Sequence, residues 1–134
     1  MVRALLDTGV WLRRYHGLPL RRSLRDFLER EVTEYCLCPL SVAEVAFKWR
    51  RGRLPGIPDP AAWVEHSLEN FTLVQVSERA ARQAGLWDWE HGDLVDRILA
   101  ALARESDMPL VHTDRVLKEF SGFPQRYYKG LTVQ

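Results

Sequence analysis

The sequence has 134 residues, a hydrophobic content of 46% and a formal net charge of +1, which fit one globular domain that can bury a substantial core. This charge gives no indication of a polyanionic partner, and no stretch approaches the roughly 18 apolar residues of a membrane span. The first residues, MVRALLDTG, carry an acid too early for a signal peptide, so we expect a soluble, cytoplasmic protein.

Short apolar runs alternate with longer segments of helical period along the whole chain. In chain order the strand candidates are VRALL, YCLCP, FTLVQV, PLVH and RYYKGL. The helical period predicts helices over 10–16, 20–33, 41–51, 60–69, 78–87 and 93–105, with a short helical turn near 115–119. This alternation predicts a single domain over 1–134 of the α/β class, a three-layer α/β/α fold with a central, mostly parallel sheet.

The cysteines and tryptophans are expected to serve packing. Cys36 and Cys38 lie two residues apart on a predicted strand, where their side chains share one face but are badly placed to bond each other. We therefore expect buried, free thiols in a reducing compartment. Core packing is expected for Trp11 and Trp63, whereas the close pair Trp87 and Trp89 is a candidate for an interface.

Basic residues are concentrated in two short segments of the first half of the chain. These segments are RRSLR, with Arg21, Arg22 and Arg25, and KWRRGR, with Lys48, Arg50, Arg51 and Arg53. They are suited to contact phosphates, and the alternative that they are solvated helix faces stays open.

Acidic residues follow predicted strands or begin predicted helices at several points of the chain. Asp7 and Asp114 end the strand candidates VRALL and PLVH, and Glu44 lies one turn into the helix after YCLCP. Asp93 and Asp96 lie in the first turn of the helix in HGDLVDRILAALA. We expect both to face away from an apolar stripe formed by Leu94, Val95, Ile98, Leu99 and Leu102.

Each acid also has a purely structural explanation. The aspartates are suited to cap the helices that follow them, and Glu44 is suited to form a surface ion pair with Lys48. However, the carboxyl ends of parallel strands and the N-termini of the following helices share one edge of a sheet. An α/β fold would therefore bring all five acids together, and we expect Glu44 to face Asp7 rather than Lys48.

Such a cluster predicts a divalent metal site. Like charges that converge raise one another's pKa and destabilise the fold unless a cation compensates them. Oxygen ligands without companion cysteines or a histidine pair suit Mg²⁺ or Mn²⁺, which would activate water for phosphodiester hydrolysis. The sequence thus gives all five acids, Asp7, Glu44, Asp93, Asp96 and Asp114, as candidate metal ligands of a catalytic site.

Four motifs resemble, in order, those of the PIN-domain ribonucleases, especially the VapC-like toxins of toxin–antitoxin pairs. They are LLDTGVWL, PLSVAEVAFKWRRGRL, HGDLVDRILAALA and LVHTD. Matched by position, the family's acidic quartet corresponds to Asp7, Glu44, Asp96 and Asp114, and an additional acid to Asp93. Thr113 matches a small hydroxyl residue and Arg97 also fits the pattern. Leu94 and Val95 depart from it, because many relatives have Pro with a small or aromatic residue there.

The resemblance implies a Mg²⁺- or Mn²⁺-dependent endoribonuclease, usually a homodimer, that a cognate antitoxin protein inhibits by occupying its active-site groove. Four acids alone repel an RNA substrate, so a basic counterpart is needed. Lys48 and Arg51 follow Glu44 on one helical face and are predicted to bind RNA phosphates. Thr113 and Arg97 are further substrate-binding candidates, and the sequence does not specify the RNA target.

Two other functions remain open at this stage. A receiver-like phosphoacceptor domain also uses clustered acids, but it has two adjacent acids after its first strand, whereas Thr8 follows Asp7 here. A catalytically inactive PIN-fold binding module would keep the fold only, and idle clustered acids would cost it stability. The histidines show no ligand spacing and are expected at the surface or in packing, with His91 a weaker candidate for substrate binding.

Overall fold

A computed structural model describes residues 2–130 of the chain. Within this range five strands form one sheet: β1 (Val2–Leu6), β2 (Val32–Leu37), β3 (Phe71–Leu73), β4 (Leu110–His112) and β5 (Gln125–Tyr127). Their order is β3-β2-β1-β4-β5, and every pairing between neighbours is parallel. The first strand of the sequence therefore lies at the centre of the sheet, between β2 and β4.

Seven helices within residues 2–130 cover the sheet: α1 (Thr8–Tyr15), α2 (Arg22–Arg30), α3 (Pro39–Arg50), α4 (Pro60–Ser67), α5 (Glu78–Leu86), α6 (Leu94–Ser106) and α7 (Arg115–Lys118). The side chains of β1 alternate between two cores, with Ala4 and Leu6 in one and Leu5 in the other. Helices α1 to α4 contribute to the first core, and α6 and α7 contribute to the second. The predicted three-layer α/β/α architecture is confirmed.

The sequence placed some element ends wrongly. The helix predicted over 20–33 ends at Arg30, because Val32 and Thr33 belong to β2, where Val32 pairs with Val2. β-Branched residues such as these favour strands. Strand β2 ends before Cys38, which is the N-cap of α3, and β3 takes only the first three residues of FTLVQV. Leu131, the last residue of the RYYKGL candidate, lies outside the described residues.

The predictions for the buried aromatic and thiol side chains are confirmed. Trp11 and Trp63 are buried with their ring centroids 5.6 Å apart. Cys36 and Cys38 are free, buried thiols. Trp87 and Trp89 are half-buried against the second core. Over residues 2–130, every helix is too short or too polar to cross a membrane.

Candidate active site

A cavity of about 350 Å³ opens at the carboxyl edge of the sheet, where β1 and β4 end side by side. Its wall includes all five acids that the sequence singled out, Asp7, Glu44, Asp93, Asp96 and Asp114. The wall also includes Lys48, whose ammonium group lies 3.3 Å from the carboxylate of Glu44. We call it the acidic cavity.

Three of the aspartates are held as helix caps. Asp7 follows β1 directly, and its Oδ1 accepts a hydrogen bond of 2.9 Å from the backbone N–H of Val10. Asp114 caps α7 through a bond of 2.8 Å from the N–H of Val116. Asp93 caps α6 through a bond of 3.1 Å from the N–H of Asp96. Capping and clustering are therefore both correct descriptions of these acids, since the caps fix the carboxylates at the shared edge of the sheet.

The protein environment disfavours negative charge in the acidic cavity. Burial raises the pKa of Asp7 from 3.8 to about 7; the Val10 N–H opposes this rise, and the charges of Asp96, Glu44 and Asp114 add to it. Burial also raises the pKa of Asp96, against a lowering by its hydrogen bond with His91. A bound cation would relieve this strain, and carboxylate oxygens are the ligands that Mg²⁺ and Mn²⁺ prefer. The residues present thus fit a hard divalent ion.

Glu44 makes two interactions that the sequence treated as exclusive. Its carboxylate lies in the wall of the acidic cavity and contributes to the raised pKa of Asp7. It is also paired with the Lys48 ammonium at 3.3 Å. The expectation that Glu44 would face Asp7 instead of Lys48 is wrong in its second half, because the face of α3 that carries both residues is directed at the cavity. Lys48 is therefore held at the rim, where half of its side chain remains exposed.

His91, which the sequence indicated only as a weaker candidate for substrate binding, lies against the acids of this site. Its Nε2 lies 2.8 Å from Oδ2 of Asp96, and the two side chains are only 15% and 19% exposed. His91, Asp96 and Asp114 each offer a possible ligand atom, and these atoms all lie within 4.8 Å of one another. His91 precedes Asp96 by five residues in an irregular segment, so no helical or strand period signals their contact.

Arg97 binds the wall of the site through its guanidinium, and its contact with substrate stays a prediction. Its guanidinium donates hydrogen bonds to the carbonyls of Ala84 and Trp87 at 2.7 Å, of His91 at 3.1 Å and of Trp89. The segment 87–93 lies outside helices and strands, so its carbonyls need such donors. With these four bonds Arg97 is committed to fixing the segment that carries His91.

Two buried polar pairs support the acids from behind. Asp114 donates its backbone N–H to Nδ1 of His112 at 3.1 Å, and Nε2 of His112 lies 2.7 Å from Oε1 of Gln125. Burial lowers the pKa of His112, so the neutral ring satisfies both contacts. On the other side, Thr8 donates to Ser41 at 2.9 Å and links the starts of α1 and α3. The packing role expected for His112 is confirmed.

Three other residues that the sequence singled out lie outside the wall of the acidic cavity. Thr113 is half-buried beside Asp114, outside the wall of the acidic cavity. Arg51 is exposed at the end of α3, with its guanidinium 5.4 Å from the centre of the Phe47 ring. Leu94, expected in the apolar stripe of α6, is 59% exposed because it begins the helix before the face that packs on the sheet.

The parallel sheet and the acidic cavity at its carboxyl edge define an α/β domain with an oxygen-rich candidate metal site. A family model described as PIN domain matches residues 4–122, so the chain belongs to the PIN domain family. This membership excludes the receiver-like signalling domain. No curated protein matches the chain.

Solved structures with the same fold come from several organisms. A toxin–antitoxin complex from Klebsiella pneumoniae has 18% identity and a TM-score of 0.69, with 94% of this chain and 98% of that chain covered. DNA-bound VapBC from Salmonella typhimurium has 16% identity and a TM-score of 0.70, with coverages of 95% and 98%. The Mycobacterium tuberculosis toxin VapC20, described as cleaving the sarcin-ricin loop, has 16% identity and a TM-score of 0.66, with coverages of 90% and 95%.

Proposed function

We propose that this PIN domain is a Mg²⁺- or Mn²⁺-dependent endoribonuclease that acts as the VapC-like toxin of a toxin–antitoxin pair. The observation that carries the proposal is the convergence of five carboxylates in one cavity at the carboxyl edge of the sheet. The similar structures include a toxin–antitoxin complex, a DNA-bound VapBC and a toxin described as cleaving the sarcin-ricin loop, and they support the same function by analogy.

Asp7, Asp96 and Asp114 would hold the metal, with Glu44 and Asp93 as further ligands. When bound, the ion supplies a water of lowered pKa and neutralises charge that develops on the scissile phosphate. The backbone bonds to Asp7, Asp93 and Asp114 fix these carboxylates in advance, so little reorganisation is needed. Lys48, at the rim, binds a phosphate oxygen of the RNA and offsets the repulsion between the acids and the substrate.

The biological setting is part of the proposal. A cytoplasmic toxin would require a cognate antitoxin that covers the acidic cavity until it is removed, and the family resemblance favours a homodimer. The proposed antitoxin is sought among the products of neighbouring genes. The product of a small adjacent gene should bind the purified protein and inhibit its cleavage of RNA.

The enzymatic part is tested by incubating purified protein with labelled RNA and added Mg²⁺ or Mn²⁺. We expect cleavage that a chelator abolishes and that Asp96→Asn lowers by at least about 100-fold, since electrostatic stabilisation at a reacting phosphate is lost. Asp59→Asn is the matched control, because Asp59 also caps a helix but lies outside the acidic cavity. Metal-independent cleavage, or full activity of Asp96→Asn, would contradict the proposal, and a protein without any cleavage would be the inactive binding module.

A further inference from the structure

His91 reaches the acids from the irregular segment that precedes α6, on the same side as Asp96 and Asp114. We propose that His91 is a nitrogen ligand of the metal site, next to the oxygens of Asp96 and Asp114, and that it makes this site prefer Mn²⁺ to Mg²⁺. The inference rests on the proposed function for the presence of a metal site. His91 lies in the irregular segment 87–93 and is not one of the four acids of the quartet.

The distances fit direct coordination. Two ligand atoms at about 2.1 Å from one ion and at a right angle to each other are about 3 Å apart. Nε2 of His91 and Oδ2 of Asp96 are 2.8 Å apart, and Asp114 offers its atom within 4.8 Å of both. His91 and Asp96 are thus already at the separation of neighbouring ligands, and a shift of at most about 2 Å would bring the Asp114 oxygen to the same separation.

The imidazole is held in place by its surroundings. The carbonyl of His91 accepts a hydrogen bond of 3.1 Å from Arg97. The ring of Trp89 lies 5.1 Å from the imidazole and stacks on Phe120 with centroids 4.3 Å apart. With only 15% of its side chain exposed, His91 is ordered like a ligand on a rigid scaffold.

A nitrogen ligand beside the carboxylate oxygens would favour Mn²⁺ over Mg²⁺. Mg²⁺ takes oxygen ligands and keeps its waters, whereas imidazole suits later divalent metals, and Mn²⁺ accepts both kinds of donor. A purely positioning role for His91 would have a different consequence. A hydrogen bond that only orients Asp96 would support both ions equally.

His91→Gln separates these two roles. The amide Nε2 of glutamine can still donate to Asp96, but an amide nitrogen does not bind a metal as imidazole does. The control is His66→Gln, since Nδ1 of His66 makes the same kind of contact with Glu69 at 2.9 Å in a side chain that is 69% exposed. His66 lies apart from the acidic cavity, beside Tyr15 and Asn70.

The first measurement is calorimetric titration of metal-free protein with Mn²⁺ or Mg²⁺ alone, without RNA. We expect the wild type to bind Mn²⁺ at least about tenfold more tightly than Mg²⁺. His91→Gln should weaken Mn²⁺ binding about tenfold and Mg²⁺ binding less than about threefold, and His66→Gln should change neither. Equal losses for both ions, or no loss, in His91→Gln would overturn the inference.

The second measurement has a decisive result on the wild type alone, whether or not the variant folds. Electron spin-echo spectra of the Mn²⁺-loaded wild type should contain the modulation of a directly bound nitrogen, and this signal should vanish in His91→Gln. Bound Mn²⁺ without nitrogen modulation in the wild type would overturn the inference even if the protein cleaves RNA. A nitrogen signal in a protein that fails to cleave RNA would instead count against the proposed nuclease function alone.

Discussion

Helix α3 separates two cavities of very different character. One face of α3 contributes Glu44 and Lys48 to the acidic cavity. The other face, with Ala46 and Trp49, lines a groove of about 760 Å³ between α3 and α4. This α3–α4 groove is the larger of the two and mostly apolar. The groove is thus the larger cavity, whereas the five clustered carboxylates lie in the smaller, charged one.

A capping aspartate occurs both at the α3–α4 groove and at the acidic cavity. Asp59 caps α4 at the groove as Asp7 caps α1 at the acidic cavity. However, α4 does not follow a strand, while α1 and α7 follow β1 and β4, which are neighbours in the sheet. Local sequence explains the caps, and strand order explains why only some of them meet. Each of the following variants tests one part of this difference.

Removing the charge of Asp7 should have the largest effect. Its pKa is raised from 3.8 to about 7, so the metal-free folded state is penalised as pH rises through this range. Asp7→Asn should therefore stabilise the metal-free protein by up to about 4 kcal/mol near pH 8, and by almost nothing below about pH 3, where Asp7 is protonated in both states. Urea unfolding with a chelator at several pH values measures this difference.

Asp59→Asn is the matched variant for that experiment. Asparagine keeps the cap, and Asp59 is exposed to solvent that screens its charge. The free energy of unfolding should change by less than about 0.5 kcal/mol at any of these pH values. Equal behaviour of the two variants would mean that the acids at the edge of the sheet do not interact as their positions indicate.

The second-largest expected effect is on the free energy of unfolding, when a side chain that fixes the wall of the acidic cavity is replaced. The groove lies between regular helices, whereas the acidic cavity depends on the irregular segment 87–93, whose carbonyls Arg97 binds. Arg97→Lys cannot reproduce the planar set of donors, so we expect a loss of about 2–3 kcal/mol in the free energy of unfolding. Hydrogen exchange should become faster in 87–93 and stay unchanged in 60–67.

Arg104→Lys provides the control for this arginine. Arg104 is exposed, and its guanidinium lies 5.8 Å from the centre of the Trp87 ring, near the same segment. We expect a change below about 0.5 kcal/mol and no change in exchange. Faster exchange in 60–67 for Arg97→Lys would show that the two cavities do not depend on separate parts of the chain.

The smallest expected effect is on RNA binding. It is measured by comparing variants on the two faces of α3. In an Asp96→Asn background that prevents cleavage, Lys48→Ala should lower the slope of log K against log salt by about one. Arg50→Ala should leave the slope unchanged, because Arg50 lines the groove. Arg51→Ala tests the sequence-based expectation that Arg51 also binds phosphate. Equal slopes for Lys48→Ala and Arg50→Ala would remove Lys48 from the RNA-binding surface.

The positions of the acids were predictable from the sequence because they depend on regular elements. An apolar run that ends in Asp7 or Asp114 predicts both the strand and the place of the carboxylate at its end. The end of α2 was not predictable in the same way, since the helical period continues into Val32 without a Gly or Pro to stop it. Pairing of Val32 with β1 is a tertiary effect that overrides this local pattern.

The contacts of His91 and Arg97 were beyond the reach of sequence patterns for a different reason. Both depend on the path of the irregular segment 87–93, which follows no period. Arg97 was a substrate-binding candidate because, directly after Asp96, it fits the pattern of the family that the motifs resemble. Its actual partners are carbonyls, which every residue carries and which no sequence motif reveals.

The central position of β1 determines when the sheet can be completed during folding and synthesis. Leu5 pairs with Cys36 on one side and with Leu110 on the other, so the innermost strand of the sheet gains its second partner only after β4 has been synthesised. Contacts between residues so distant in sequence make folding slow relative to helical proteins. A growing chain on the ribosome lacks Asp114 until β4 has been made. The protein therefore cannot assemble its full set of acids before residue 114 has been synthesised.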